Sequence, residues 1–408
     1  MKSDLDRLMA ERNIDAAVVS GKVSGNPIMT YMTNGAKLGY GIVVKPAGRP
    51  AILGYYPMER DEANKVGMET INLGEFNLRA LAEKAGSALG GSVLLYQELL
   101  EKLDVSGRVA FYGHADQGRA FTLLNALQDG IPGITVMGEY EDTIFDYAQL
   151  TKGHDEIRRM KEVGRKTADA MQAAVDHIRC HRAEDGIMVK EDASPLTVGD
   201  VKRAVLRRLF EHNLEDPEGM IFAIGRDASV PHSAGEPDDP LRLGETIVFD
   251  LYPREAGGGY FHDMTRTFSI GYARPETQEI YDQVKFCYDQ VVAALKVNEP
   301  GSTYQELTCD IFEEMGHETV RTNPHVENGY VHSLGHGVGL EIHSRPRLSS
   351  GKLNTDRLLP GSVFTIEPGL YYPAKGYGVR LEDVWTVDEA GAFHCLTDFP
   401  KEFVIPLE

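Results

Sequence analysis

No Cys-x-x-Cys pair occurs in this sequence: its four cysteines, Cys180, Cys287, Cys309 and Cys395, are widely spaced. That excludes a thiolate-rich structural zinc site. A disulfide scaffold is not expected of a chain of 408 residues. No run of 18 apolar residues exists, so no membrane-spanning helix is expected. The opening "MKSDLDRLMAERNIDAAVVSG" lacks an apolar core of signal-peptide length. A basic excess is missing too. The formal net charge is -20, which argues against a nucleic-acid partner and against docking on an anionic membrane. The expected compartment is a reducing cytoplasm.

What is present reads as an ordinary globular protein, 42% hydrophobic and 25% charged. The length suggests two to three domains. Residues 1–150 alternate strand and helix patterns and read as a smaller α/β domain. "GYGIVVKPAGRPAILGY" predicts a hairpin around a Pro-Gly turn. "RALAEKAGSALGGSVLLYQELLEKL" predicts a helix interrupted at Gly90–Gly91. A domain boundary is placed just before "DEIRRMKEVGRKTADAMQAAVDHIRC". There Ile157, Met160, Val163, Thr167, Met171, Ala174 and Ile178 recur at helical steps and mark one buried face. Three more helices are expected at "VGDVKRAVLRRLFEHNL", "TQEIYDQVKFCYDQVVAAL" and "TYQELTCDIFEEMG", with β segments between them. Residues 151–408 are therefore expected to be α+β.

Two acid-bearing hairpins stand out in this second part. In "ETIVFDLYPREAGGGYFHDMTRTFSIG", Asp250 and Asp263 flank a glycine-rich turn at equal distance. An antiparallel pair would set them opposite each other, about 5 Å apart at Cβ. Asp250 interrupts an apolar run, so burial is expected, and two buried carboxylates must share a proton or gain a cation. The plainer alternative is an exposed pair held by an arginine such as Arg266. In "SVFTIEPGLYYPAKGYGVRLEDVWTV", Glu367 and Glu382 repeat the arrangement around "PAKGYG". The two hairpins read as an internal pseudo-repeat.

Between them lies "VHSLGHGVGLEIHSRP", with His332, His336 and His343. Gly335, Gly337 and Gly339 forbid a helical His-x-x-x-His site and permit close backbone approach instead. One imidazole with four carboxylates makes a hard, oxygen-rich site. That donor set suits a pair of Mn²⁺, Co²⁺, Fe²⁺ or Zn²⁺ ions.

The series Asp250, Asp263, His336, Glu367, Glu382 resembles the five-ligand set of the pita-bread dinuclear metallopeptidases, the group of methionine aminopeptidase, aminopeptidase P and prolidase. "DMTRTF", "GHGVGLEIH", "TIEPGLY" and "VRLED" look most like the Xaa-Pro dipeptidase and Xaa-Pro aminopeptidase branch. The resemblance covers nearly the whole chain. It implies a pita-bread catalytic domain at 151–408, behind a creatinase-type α/β domain at 1–150. It implies two divalent metal ions, foremost Mn²⁺, a small peptide substrate and a homodimer. Asp250 would bind one metal through two oxygens, Asp263 and Glu382 would bridge, and His336 and Glu367 would complete the other. His232, in "VPHSAGEP", resembles the histidine that contacts the substrate carbonyl. His332 and His343 resemble those that serve the substrate and the tetrahedral intermediate. Arg380 resembles an arginine that supports the last ligand, and Glu367 would move the proton. The implied reaction is hydrolysis before proline by hydroxide held between the metals.

The pattern breaks in two places. Tyr252 stands where the family usually has Gly, and Ser344 where it usually has Glu. Both leave room for the same site acting on a non-peptide molecule, by ectoine-type ring hydrolysis or dimethylsulfoniopropionate-type lysis. A catalytically silent binding protein is the remaining alternative, and the intact ligand set opposes it. Outside this set, His177, Cys180 and His181 in "DHIRCH" have metal-like spacing. They end a helix without a fourth ligand nearby and are read as surface or core side chains. "GHGVGL" lacks the G-x-G-x-x-G pattern and its strand-helix setting, so no nucleotide site is read there. Tyr371 and Tyr372 are candidates to line the site, but strand aromatics more often pack, and they are read as packing.

Overall fold

The computed structural model describes residues 1–407. Two compact units emerge: Met1–Gln149 together with Gly257–Gly259, and Leu150–Ala256 together with the residues from Tyr260 onward.

The first unit holds one six-stranded sheet. Its strand order is Glu69–Asn72, Ile52–Tyr55, Gly41–Pro46, Ala16–Gly21, Gly107–Tyr112, Ile134–Met137. The hairpin read around "KPAGRP" forms, with Val43 paired to Leu53. The core joins Val18, Val44, Leu99, Val109 and Leu127. The helical break falls elsewhere than Gly90–Gly91. The helix Leu78–Ala85 ends at Gly86, in the left-handed region at φ 72°, and Ser87 caps the next helix, Ala88–Lys102. The glycine pair sits inside that second helix, where a Cβ on Gly91 would lie 2.7 Å from Ala82 Cα. Close helix packing, not a turn, requires glycine there.

The second unit repeats one arrangement, a helix pair on a sheet. The helices His154–Arg179 and Val198–Glu211 share a core with Phe249, Leu251, Met264 and Phe268. Those residues line a four-stranded sheet of order Ile221–Ile224, Thr246–Leu251, Met264–Ile270, Val404–Ile405. Of the face predicted for the long helix, Met160 through Ile178 are buried and Ile157 is half-buried. Thr197 and Asp200 form the capping box that starts the second helix. The helices Pro275–Ala294 and Gly301–Glu314 share another core with Phe364, Ile366, Leu370 and Val379. Beside them lies a five-stranded sheet of order Ser344–Leu348, Gly335–Gly337, Val363–Ile366, Asp383–Val387, Phe393–Cys395. Among the described residues no helix is long and apolar enough to cross a membrane.

Candidate metal centre

The two aspartates come from neighbouring strands, in a register two residues away from the expected one. Asp250 pairs with Thr265 and Leu251 with Met264. The bridge between Arg254 and Phe261 carries the same register to a fold-back at Gly257–Gly258. By that count Asp263, just ahead of its strand, lies opposite Tyr252. Asp250 and Asp263 are therefore diagonal neighbours on one face rather than direct partners. Both are buried, at 8% and 4% exposure, so the exposed-pair alternative fails. Arg266 does not hold them.

The two glutamates keep the predicted pairing but stand outside the ladder. Ile366 pairs with Asp383, and Gly369 with Arg380. Glu367 and Glu382 fall between these rungs, opposite each other. Pro368 has no N–H to give a ladder bond.

His336 sits on the short strand Gly335–Gly337. A Cβ on Gly335 would lie 2.2 Å from Thr365 O, and one on Gly337 2.0 Å from Arg345 O. The flanking glycines thus let neighbouring strands close around this histidine. Its Nδ1 lies 3.2 Å from the Gly337 carbonyl, which accepts a hydrogen bond when the proton is on Nδ1 and leaves the Nε2 lone pair facing the acids. Nε2 lies 3.3 Å from Glu367 Oε1 and 3.6 Å from Asp263 Oδ2. Single donor atoms of Asp263, His336 and Glu382 all lie within 4.8 Å of one another.

The electrostatics are those of a buried, crowded acid cluster. Burial, then the charges of Asp250 and Glu367, pushes Asp263 well above the ordinary carboxylate range. Burial, then Asp263, does the same to Glu382. Burial also pushes Glu367 upward, but its bond to His336 and the nearby His332 and Arg380 outweigh that and leave it at about 2. Burial lowers His336, yet Glu367 outweighs it and the ring titrates above its usual value. His332 and His343 are both lowered, chiefly by burial.

Arginines and hydroxyls fix the acids in place. Arg380 Nη2 donates to Asp250 Oδ2 at 2.6 Å, and its Nη1 donates to the Tyr371 hydroxyl at 2.9 Å. Thr265 Oγ1 donates to Glu382 Oε2 at 2.7 Å. Arg266 is fully buried. It donates to the carbonyls of Thr265, Glu382, Phe399 and Pro400 and to Asp383 Oδ1 at 2.7–2.9 Å. Asp383 also receives the Tyr288 hydroxyl and the Lys401 ammonium.

A cavity of about 480 Å³ is lined by all nine residues singled out from sequence: His232, Asp250, Asp263, His332, His336, His343, Glu367, Arg380 and Glu382. His232 and His343 are the exposed members. His343 packs edge-on against His336, with ring centroids 4.4 Å apart. Tyr371, read as packing, is instead a site residue: its hydroxyl meets His332 Nε2 at 3.0 Å. Thr265 was not singled out, though its place opposite Asp250 puts it on the acid-bearing face. Tyr252 borders the cavity and donates its hydroxyl to the Gly219 carbonyl at 2.7 Å. Ser344 lies outside the lining. Among the described residues its buried hydroxyl has no hydrogen-bond partner, nor has the Lys152 ammonium, and both atoms lie within 4 Å of where a Gly339 Cβ would be.

The donor set fits divalent cations. Asp250 Oδ1, Asp263 Oδ1 and Glu382 Oε1 are buried and, among the described residues, have no hydrogen-bond partner. Three bare carboxylate oxygens in one cavity are unfavourable unless protonated or coordinated. The sequence pattern of metallopeptidase family M24 matches residues 158–389. This chain belongs to metallopeptidase family M24. The Xaa-Pro dipeptidase of Pyrococcus furiosus is 31% identical over 257 residues, 62% of this chain and 64% of that protein. The chain thus spans just under two thirds of that M24 relative's length. Two solved structures share the fold. The prolidase from Pyrococcus furiosus aligns over 97% of this chain and 99% of its own, with TM-score 0.73 at 23% identity. The Xaa-Pro dipeptidase from Bacillus anthracis aligns over 99% of both, with TM-score 0.75 at 24% identity. The α+β fold is the pita-bread architecture, and membership in M24 implies divalent metal ions.

Proposed function

We propose that this chain is a metal-dependent hydrolase of the peptide bond before proline, in Xaa-Pro dipeptides or at the N-terminus of Xaa-Pro peptides. The carrying observation is the trio of buried, unpartnered carboxylate oxygens on Asp250, Asp263 and Glu382, sharing one cavity with His336 and Glu367. Membership in M24 supports the same reading. These five residues would hold two divalent cations, with Mn²⁺ the expected ion. Bound there, the ions supply Lewis acidity and lower the pKa of water toward neutrality.

The chain's own groups account for the remaining chemistry. Glu367, held ionised at about 2, takes a proton from the attacking water. The proline nitrogen leaves as an amine only once protonated, and Glu367 returns the proton there. His332 is kept neutral by burial and is held by Tyr371. His232, His332 and His343 line the cavity where the carbonyl oxygen gains charge. Arg380 is a positioning residue that orients Asp250 and Tyr371. The Mn²⁺-loaded chain is expected to cleave Ala-Pro, Leu-Pro or Xaa-Pro-Yaa peptides. If all of them stay intact, the reading is wrong. Assayed side by side, they also separate dipeptidase from aminopeptidase action.

The raised carboxylates predict how metal binding depends on pH. An unfolded carboxylate ionises near pH 4, whereas Asp263 and Glu382 stay protonated to higher pH when folded. Above about pH 4 the folded, metal-free chain therefore binds the extra protons, and these groups weaken it as pH rises. His336, also raised, adds stability at low pH that is lost as pH rises through its folded value. Glu367, depressed to about 2, gives stability that is lost only as pH falls toward that value. Cations must displace the protons on Asp263, Glu382 and His336. The rise in Tm on adding Mn²⁺ should be larger at pH 8 than at pH 6, by up to about tenfold in affinity per pH unit for each proton displaced. Thermal unfolding with and without Mn²⁺ at each pH checks this, and a rise that shrinks with pH contradicts it.

A further inference from the structure

The helix His154–Arg179 ends in a second cluster of metal-ligating side chains, away from the acid-rich cavity. His177 lies in its last turn, Cys180 caps it and His181 follows. Spacings of three and four residues bring the three side chains to one side of the helix end. Single donor atoms of all three lie within 4.8 Å of one another. The two imidazole rings stand 4.9 Å apart at 77°, and Cys180 Sγ is 3.3 Å from His181 Nδ1. The sequence alone suggests three side chains at a helix end with nothing to complete a site. The structure adds no fourth protein ligand among the described residues, but it brings the three donors together at the helix end.

We propose that His177, Cys180 and His181 form a binding site for one zinc-class divalent ion, independent of the proposed peptidase centre. The chemistry follows from the donors. One thiolate and two imidazoles are softer than four carboxylates and an imidazole, and they favour Zn²⁺ or Co²⁺ over Mn²⁺. Tetrahedral zinc with bonds of about 2.0–2.3 Å places its ligand atoms roughly 3–4 Å apart, so the cluster needs only small side-chain rotations. The His177 carbonyl lies 2.7 Å from His181 Nδ1. With the ring proton moved to Nε2 and this hydrogen bond given up, Nδ1, already 3.3 Å from Cys180 Sγ, becomes the ring's lone-pair donor. Cys180 Sγ lies 3.0 Å from the same carbonyl, and its thiol proton goes to solvent on binding. Cys180 is exposed while both histidines are half-buried, so the ion has an open approach and a fourth position for water. Two hollows meet at Cys180. Asp176, His177 and Arg207 line one, and His181, Lys190 and Asp192 the other. Arg207 and Lys190 are cations that oppose binding, and Asp176 and Asp192 offset them. None of the three ligands lines the acid-rich cavity, so the two centres can be emptied separately.

The test uses the full chain, first saturated with Mn²⁺ and then titrated with Co²⁺ under reducing conditions. A thiolate-to-cobalt charge-transfer band should grow in the near ultraviolet and saturate at an amplitude of one thiolate–cobalt bond per chain. Zn²⁺ should then abolish it by displacement. Cys180→Ser should lose the band. The double variant His177→Ala/His181→Ala should weaken Co²⁺ binding about 10- to 100-fold or more. Circular dichroism establishes that both variants are folded. Asp263→Asn, which alters only the acid-rich centre, should keep the band, and this separates failure here from failure of the proposed function. Absence of the band, or its persistence in Cys180→Ser or in the double-histidine variant, overturns the proposal.

Discussion

Replacing Asp263 with Asn is expected to abolish turnover, by about 10³-fold or more, while making the metal-free chain more stable. The two effects share one cause. Asp263 is buried, has an oxygen without a partner and is crowded by Asp250 and Glu367. A neutral amide of the same shape removes that repulsion, so metal-free Tm should rise. The same change deletes a cation-binding oxygen, so the increment in Tm on adding Mn²⁺ should collapse. Metal content, kcat on a proline dipeptide and Tm with and without Mn²⁺ are the three readouts. Wild-type metal content and turnover in the variant would remove the basis of the proposed centre. A lower metal-free Tm would contradict the repulsion argument alone.

Arg266→Met should be the most destabilising single change in the second unit. Arg266 and Asp383 are both fully buried, at 0% side-chain exposure. Taking away one partner leaves a carboxylate with only Tyr288 and Lys401, and strips a donor from four carbonyls. Breaking a buried pair in this way costs about 3–5 kcal/mol, which corresponds to a drop in Tm of roughly 10 °C. Two of the freed carbonyls belong to Thr265 and Glu382, so kcat should fall as well, without loss of any metal-binding atom. Urea or thermal unfolding checks the stability, and a loss below about 1 kcal/mol would show that the pair is not what holds these strands together.

Much of this centre was legible in the chain because period-2 strand logic fixes which side chains share a face. Glu367 and Glu382 fall opposite each other as the symmetry of "PAKGYG" predicts. Asp250 and Asp263 were misregistered because the fold-back centres on Gly257–Gly258. Arg254 and Glu255 are not loop residues at all; they pair with Leu214–Glu215, a partner far away in sequence. Local glycine content cannot report such a contact. The same limit explains Gly90–Gly91, whose reason is a neighbouring helix, and Tyr371, whose hydroxyl meets His332 and Arg380 only after three segments assemble. The sequence offers Arg266 as a partner for the aspartates. Its true partner, Asp383, follows directly after Glu382 on another strand, and only the pairing of the sheets reveals it.

The ladder on either side of Glu367 and Glu382 resumes without losing step, although neither residue is a rung of it. The backbone there behaves like a zip with two pairs of teeth left open, and one of the open pairs carries the reactive groups. Swapping those side chains does not tax the pleats above and below. The scaffold can therefore be inherited intact by descendants that have given up the chemistry.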